Sequence, residues 1–445
     1  MIMKTKIALL SLISLVFLTS ASFSQTFNKA KIDSLLDLLA AKDKAMGSLA
    51  LYKDGKEIYT RAIGFSQIEP QKIIATPATK YRIGSISKMF TATLIFQLIE
   101  EGKLDLSATL DKFFPTLPNA EKISVANLLN HRSGIHNFTN DSSYLKWNTK
   151  PKTQSEMIAI IASYKPDFNP GSKTEYSNSN FVLLGYIVEK IRQAPYNEVL
   201  QKFICSKAGL ESTYLGGKTD ISKNECFSYV YKSQWEKQYE TDMSIPHGAG
   251  AVVSTSSDLC KFMLALFSNQ LVSEASRLSM MNITDGLGMG MMKFPFYEKE
   301  AYGHGGAIDA FNSMVGYFPE EKVAIAYCAN GTIYSINDIM IGALSALFNK
   351  PFELPVFSSY QVTPAELEQY PGVYSSNQLP LKITITIKEG QLYAQATGQP
   401  SFPLECTEKN VFRFYTAGIT INFNPDENKF ILEQGGGKYH YTKDN

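Results

Sequence analysis

The chain has 445 residues, of which 43 are basic and 42 acidic, so its net charge is close to zero at +1. A chain of this length exceeds what one hydrophobic core usually holds, and we therefore expect two domains. Hydrophobic residues make up 44% of the sequence and aromatic residues 12%, which is typical of a folded globular protein. The balanced charge and the lack of a basic stripe argue against nucleic acid as a partner.

The N-terminal residues follow the pattern of a secretory signal peptide at 1–24. Lys4 and Lys6 precede an apolar run at 7–18, small residues follow it, and we expect cleavage after Ser24. The run is shorter than the roughly 20 apolar residues that cross a bilayer, which argues against a membrane anchor. We therefore predict a periplasmic or secreted protein with no integral membrane segment after cleavage.

Hydrophobic periodicity predicts a mixed helix and strand pattern over residues 25–350. The predicted elements are, in chain order, a helix at 29–42, a β-hairpin at 49–63 around the turn Asp54-Gly55, a long amphipathic helix at 85–101, a mostly helical stretch to about residue 269, and strands at 313–318 and 323–327.

The composition changes after residues 351–360, which we interpret as a linker. Isoleucines alternate with polar residues at 382–388, and the turn Glu389-Gly390 leads into a second apolar stretch at 392–396. Further short strand patterns follow, and together they predict a small antiparallel barrel or sandwich at 361–445.

Cysteine and histidine usage gives no indication of a metal site. The odd number of cysteines and their apolar surroundings favour buried thiols, with a local bridge between Cys205 and Cys226 as the alternative. His131 and His136 lack the helical spacing of a zinc site. We therefore predict neither a metal nor another cofactor.

The tetrad Ser85-Ile86-Ser87-Lys88 is the first candidate catalytic motif. Ser-x-x-Lys is short enough to arise by chance, and a second copy occurs at Ser143–Lys146. Ser85 follows Gly84 and begins the predicted long helix, so Lys88 lies one turn along the same face and the Ser85 N–H is free of helical hydrogen bonds. The second copy leads into no apolar helix, and we expect a surface loop there. The alternative for Ser85 is an ordinary helix N-cap.

Two further motifs lie downstream of this tetrad. Tyr176-Ser177-Asn178 precedes an apolar helix at 181–191, and residues two apart in an extended loop can face one cleft. Gly303-His304-Gly305-Gly306-Ala307 begins a strand pattern whose glycines allow close approach of a ligand. Helix caps and a β-bulge are the respective alternatives.

In this order the three motifs resemble those of the serine β-lactamase and penicillin-binding-protein superfamily, namely Ser-x-x-Lys, Tyr-x-Asn and a variant of Lys-Thr-Gly. The tyrosine form of the second motif resembles that of the class C β-lactamase and DD-peptidase branch. The stretches at 128–135, 180–185 and 250–259 also resemble sequences of that branch. The resemblance covers about residues 30–348. It implies an α/β (α+β) fold in which an antiparallel sheet flanked by helices meets a helical region at the active site, with a small C-terminal all-β domain.

The resemblance also implies a role for each motif residue. Ser85 would attack a carbonyl carbon and form an acyl-enzyme, while Lys88 and Tyr176 would share proton transfer. Which of these two is the base stays open. The backbone N–H groups of Ser85 and Ala307 would form an oxyanion hole. The residues implied in substrate binding are Asn178, which would hold the substrate amide, and His304, Gly305 and Gly306.

His304 departs from the lysine that many β-lactamases have in the third motif. A histidine is mostly neutral at pH 7 and is a poorer anchor for a substrate carboxylate. This departure argues against efficient β-lactam hydrolysis and leaves acyl transfer intact.

Three functions follow from the resemblance. The first is a D-alanyl-D-alanine carboxypeptidase-like enzyme or D-amino-acid peptidase that acts on cell-wall peptides. The second is a carboxylesterase or class C-type β-lactamase that uses the same residues. The third is a non-hydrolytic penicillin-binding or scaffolding protein, because a fold does not fix a function. The expected partner is a small acyl substrate or a cell-wall peptide, and the oligomeric state stays open.

Overall fold

The computed structural model describes residues 27–357 and 359–444, and the predicted signal peptide lies outside them. The α-helices are α1 (Lys29–Ala41), α2 (Ser87–Glu100), α3 (Val125–Leu129), α4 (Tyr144–Trp147), α5 (Gln154–Ser163), α6 (Asn178–Arg192), α7 (Tyr196–Leu200), α8 (Ser206–Ala208), α9 (His247–Gly250), α10 (Ser256–Phe267), α11 (Glu274–Met281), α12 (Ile336–Phe348) and α13 (Pro364–Leu367).

The strands of residues 45–332 are β1 (Ala45–Lys53), β2 (Lys56–Ile63), β3 (Phe65–Gln67), β4 (Ile73–Ile74), β5 (Tyr81–Arg82), β6 (Tyr214–Leu215), β7 (Tyr229–Tyr231), β8 (Trp235–Lys237), β9 (Val252–Ser254), β10 (Met292–Phe296), β11 (Lys299–Ile308), β12 (Phe311–Phe318) and β13 (Val323–Thr332). Those of the C-terminal part are β14 (Gly372–Ser375), β15 (Ile383–Lys388), β16 (Gln391–Ala396), β17 (Phe402–Pro403), β18 (Glu405–Glu408), β19 (Val411–Phe414), β20 (Ile419–Asn424), β21 (Lys429–Gln434) and β22 (Gly437–Lys443).

Six antiparallel strands form the central sheet, in the order β10-β11-β12-β13-β1-β2. One face is covered by α1 and α12, whose buried residues include Leu35 and Ile339. The other face is covered by α10, with Phe262 and Met263 in the same buried cluster as Ala326 of β13. The predicted antiparallel sheet flanked by helices is therefore confirmed.

Helix α2 lies at the centre of the helical region and is buried along almost its whole length. All residues from Ser87 to Leu98 are buried, so the expectation of an amphipathic helix is wrong. The polar side chains of α2 have partners inside the protein. Thr91 Oγ1 donates to the Gly248 carbonyl oxygen at 2.6 Å, and Gln97 Nε2 donates to the Leu271 carbonyl oxygen at 2.9 Å.

The C-terminal part is a nine-stranded antiparallel sheet in the order β17-β16-β15-β14-β22-β21-β20-β19-β18. Its two edge strands are separated in the chain by Leu404 alone, so the sheet must curve to bring the adjoining ends of these strands together. It encloses a separate hydrophobic cluster that includes Leu404, Phe412 and Phe430. This agrees with the predicted small all-β domain, whereas the exact boundaries at 351–360 stay a prediction.

Most predicted elements of the first 350 residues are confirmed, including the first helix and the hairpin. The tetrad Ser143–Lys146 was expected in a surface loop, but Tyr144–Trp147 forms the one-turn helix α4. All five cysteines are free thiols and four of them are buried, so the bridge between Cys205 and Cys226 does not form. None of the helices in the described ranges combines the length and apolar character that a membrane crossing requires.

Candidate active site

Ser85 lies in a short 3₁₀ turn, Gly84–Ile86, that leads directly into α2. This turn packs against β11, and glycines on both sides allow the contact. A Cβ atom on Gly84, whose φ is +52°, would lie 2.8 Å from Ala307 N, and one on Gly306 would lie 2.0 Å from Ile83 O. Any larger residue at either position would push the turn and the strand apart.

The edge of β11 that faces this turn begins where its pairing with β10 ends. Strand β10 pairs with β11 from Lys299 to Gly303. In the described part of the chain, the stretch 304–308 pairs with β12 on one side and has no second strand neighbour. The turn that carries Ser85 occupies this position, which brings Ser85 and Ala307 to one cleft.

Lys88 lies one turn along from Ser85 and is fully buried. Its Nζ is 2.9 Å from Ser85 Oγ, 2.8 Å from Asn178 Oδ1 and 2.8 Å from the Ala249 carbonyl oxygen. Burial lowers the pKa of the Lys88 amine well below its ordinary value, because desolvation penalises the charged form. The Lys88 side chain therefore meets Ser85 as an amine that readily gives up its charge.

Tyr176 lies beside the same amine. Lys88 Nζ is 4.9 Å from the centroid of the Tyr176 ring, which in turn stacks on His131 at a centroid distance of 4.4 Å. The Tyr176 hydroxyl is buried and has no hydrogen-bond partner among the residues that the structure describes. Burial raises the pKa of Tyr176, and the nearby Ser85 hydroxyl only partly offsets this. The phenol is therefore held neutral.

Asn178 is the first residue of α6, and its carboxamide is fixed from both ends. Its Oδ1 accepts from Lys88, while its Nδ2 donates to Asn137 Oδ1 at 3.2 Å and to Thr139 Oγ1 at 3.1 Å. Its backbone N–H also donates to Asn137 Oδ1 at 3.0 Å. The second motif thus brings Tyr176 and Asn178 to one amine, although only Asn178 lines the cleft next to Ser85.

His304 lies behind the cleft and is only 3% exposed. Burial and the neighbouring Lys88 lower the pKa of His304 to about 4, and its Nδ1–H donates to the Gly305 carbonyl oxygen. The imidazole is therefore neutral at pH 7. The side chain lies close to Tyr176, with ring centroids 6.2 Å apart.

The cleft next to Ser85 has a volume of about 270 Å³. It is lined by Ser85, Phe138, Thr139, Tyr144, Leu145, Asn148, Asn178, Tyr239, Thr241, Pro246, Ala249, Gly250, Ala307, Ile308 and Asp309. Of the predicted substrate-binding residues, Asn178 lines this cleft, whereas His304, Gly305 and Gly306 lie outside its lining. Direct contact of these three residues with substrate stays a prediction.

His131 and Asn137 are supporting residues to which sequence reasoning assigned no role. His131 has a left-handed backbone, with φ at +59°, and its Nδ1 accepts a hydrogen bond from the Ser177 N–H at 3.1 Å. Together with the ring stacking this fixes the loop that carries Tyr176. His131 lies in the stretch 128–135 that resembles the family, and this resemblance could have pointed to it. No sequence pattern pointed to Asn137, whose role is seen only from its contacts in the fold.

Arg82 is a buried cation three residues before Ser85, with a side chain 4% exposed. Its guanidinium forms ion pairs with Asp309 at 3.1 Å and Glu240 at 2.7 Å, and it also donates to the Thr241 carbonyl oxygen. Arg82 lies in β5, just before the nucleophile, and Asp309 directly follows β11. The ion pair between them therefore links β5 to the turn after β11. The position of Arg82 between Tyr81 and Ile83, directly before the Ser85 motif, was the only sequence signal for it.

Comparison with known proteins places this geometry in a family. The family model described as Beta-lactamase matches residues 33–336. The chain is 23% identical over 448 residues to penicillin-binding protein 4* of Bacillus subtilis, with 92% of this chain and 98% of that protein covered.

Two solved structures are similar over most of their length. D-amino acid amidase from Ochrobactrum anthropi SV3 is 25% identical with a TM-score of 0.64, and the match covers 73% of this chain and 99% of that one. The octameric penicillin-binding protein homologue from Pyrococcus abyssi is also 25% identical with a TM-score of 0.64. The match covers 93% of this chain and 99% of that one. The chain thus belongs to the beta-lactamase family and is a serine hydrolase of the superfamily that includes the penicillin-binding proteins.

Proposed function

We propose that this hydrolase cleaves amide bonds of D-amino-acid peptides through an acyl-enzyme on Ser85. It would be a D-amino-acid peptidase or a D-alanyl-D-alanine carboxypeptidase-like enzyme that acts on cell-wall peptides. The observation that carries the proposal is the distance of 2.9 Å between Lys88 Nζ and Ser85 Oγ in a buried site. The similarity to a D-amino acid amidase and to penicillin-binding proteins supports this substrate class.

We assign the role of base to Lys88. A neutral amine has two N–H bonds and one lone pair. The carbonyl oxygens of Asn178 and Ala249 can only accept hydrogen bonds, so in the neutral amine they would take both N–H donors. The Ser85 hydroxyl can also donate, and it would then face the lone pair. The buried phenol of Tyr176 resists ionisation, since its pKa is raised. Lys88 is therefore the better acceptor for the Ser85 proton.

Acylation would begin when Ser85 Oγ attacks the substrate carbonyl carbon and its proton moves to Lys88. The carbonyl oxygen becomes an oxyanion, which the backbone N–H groups of Ser85 and Ala307 would stabilise. The bond to the leaving nitrogen then breaks as that nitrogen takes a proton. The unpartnered Tyr176 hydroxyl is suited to give its proton to the leaving nitrogen. It would then take up the proton that Lys88 had accepted from Ser85.

Deacylation would use the same groups with water as the nucleophile. Water loses one proton to Lys88 as its oxygen attacks the acyl carbon, and Ser85 Oγ regains a proton when the ester bond breaks. The released product is an acid. Exported as the sequence predicts, the enzyme would meet cell-wall peptides in the periplasm or outside the cell.

Ester hydrolysis is the second candidate, because an ester passes through the same tetrahedral intermediate. A neutral His304 in the third motif makes β-lactamase activity a poorer candidate, since a penicillin carboxylate would lack a cation there. A non-hydrolytic binding protein would bind substrates without turnover.

Mass spectrometry of the intact protein after incubation with a labelled penicillin and an activated ester tests the proposal. We expect one adduct, which peptide mapping assigns to Ser85, and loss of at least about 10³-fold in turnover in Ser85→Ala. Ser143→Ala is the matched control because it alters the second Ser-x-x-Lys copy. An adduct on Ser143, or retained turnover in Ser85→Ala, would contradict the assignment.

A further inference from the structure

We propose that the cleft next to Ser85 selects uncharged substrates with an aromatic or other large apolar group and disfavours substrates with a carboxylate near the scissile bond. The inference rests on the proposed acyl transfer at Ser85 and narrows its substrate class. Of the two proposed peptidase activities, it favours cleavage of amides, esters and internal peptide bonds over carboxypeptidase activity, because the leaving group of a carboxypeptidase substrate ends in a free carboxylate.

The second Ser-x-x-Lys copy supplies one wall of the cleft. Tyr144 and Leu145 of α4 line it together with Phe138. Behind them Trp147 packs edge-on against Tyr144 at a ring distance of 5.2 Å, and it lies 6.1 Å from the Phe138 ring. A one-turn helix has little stability of its own, so this aromatic packing fixes the position of the wall.

Apolar surface at this wall is exposed without a partner in the described part of the protein. Leu145 is 66% exposed and Tyr239, which also lines the cleft, is 49% exposed. Ile308 adds a third apolar lining residue next to Ala307. A substrate with a large apolar group would remove this surface from water, which makes binding of such a group favourable.

The cleft offers no cation to a carboxylate. Within residues 27–357 and 359–444, no lysine, arginine or histidine is among its lining residues. Lys88, the basic residue beside Ser85, is already engaged. Its Nζ contacts Ser85, Asn178 and Ala249, and its lowered pKa favours the uncharged amine.

Among the described residues that line the cleft, the one ionisable acid or base of the Asp, Glu, Lys, Arg and His types is a carboxyl group, that of Asp309. Arg82 is shared by two carboxylates, Asp309 and Glu240, and Asp309 lines the cleft. One guanidinium therefore balances only one of the two acids. A substrate carboxylate that enters this cleft would lose water, find no free cation and meet the carboxyl group of Asp309.

Two aryl esters that are identical apart from a carboxylate on the leaving group test this inference. We expect the neutral phenylacetyl ester to have a kcat/KM about tenfold or more above that of its carboxylated analogue, as for a charge desolvated without a partner. The neutral phenylacetyl ester should also exceed the corresponding acetyl ester. Leu145→Ala should reduce this preference for phenylacetyl about fivefold, since contact area is lost.

Leu145→Lys supplies the missing cation and should shift the ratio of the two aryl esters towards the carboxylated one. Leu278→Lys, which adds the same charge at an exposed leucine of α11 outside the cleft lining, should leave the ratio unchanged. Equal or better turnover of the carboxylated ester by the unaltered protein, with Ser85 acylated, would overturn this inference alone. Lack of acylation of Ser85 by every ester would overturn the proposed function and this inference with it.

Discussion

Replacing Gly306 with alanine should inactivate the enzyme with little change to its chemistry-bearing side chains. A Cβ atom on residue 306 would lie 2.0 Å from Ile83 O and 3.2 Å from Ser85 N, so the turn must retreat from β11 by at least about 1 Å. A displacement of this size separates the two proposed oxyanion donors, Ser85 N–H and Ala307 N–H. We expect kcat to fall by about 10²–10³-fold, or about 3–4 kcal/mol of transition-state stabilisation.

Stopped-flow measurement of acylation by a p-nitrophenyl ester gives this rate directly, with thermal unfolding as a check on the fold. Gly316→Ala on the neighbouring strand β12 is the matched control, because its Cβ would meet its nearest neighbour at an ordinary 3.5 Å. Acylation by Gly306→Ala within threefold of the unaltered protein would refute the reasoning. So would an equal loss of activity in both variants.

Three further changes test the site. Tyr176→Phe keeps the ring stacking and removes a buried hydroxyl without a partner, so kcat should fall about 10²-fold or more while the free energy of unfolding stays equal or rises by up to about 1 kcal/mol. Because protonated Lys88 cannot accept a proton, kcat/KM should decline as the pH falls through its lowered pKa, so a pH profile whose acid limb lies near 10.4 would contradict the role. Arg82→Gln leaves Asp309 and Glu240 without their cation, and urea unfolding should show a loss of about 3–5 kcal/mol; a loss below 1 kcal/mol would exclude a tightly coupled network.

The elements with a clear hydrophobic period were predictable from the sequence. The first helix, observed at Lys29–Ala41, and the hairpin around Asp54-Gly55 repeat apolar residues at helical and strand spacing. Helix α2 was found, but its burial on every side was missed. Thr91 and Gln97 look solvent-exposed in a sequence, and only the fold supplies the carbonyl groups that satisfy them.

The motif residues were found because each motif has a fixed local spacing, and the resemblance to a family joined the three motifs. In the structure the Lys88 amine lies within hydrogen-bond distance of Ser85 and Asn178. It also contacts the ring of Tyr176. The cleft wall at α4 was not predictable. A single turn has no period to detect, and its role depends on side chains from Phe138 to Tyr239 that are distant in sequence.

The position of the nucleophile on the open side of β11 has a consequence for solubility. Backbone groups at a bare strand edge are a template on which another chain can add, and the turn at Gly84–Ile86 covers the edge at 304–308. A change that detaches this turn, such as Gly306→Ala, should therefore promote aggregation as well as inactivation, which static light scattering at rising protein concentration would detect. In this fold, the contact that prepares the enzyme for acyl transfer also shields the sheet from self-association.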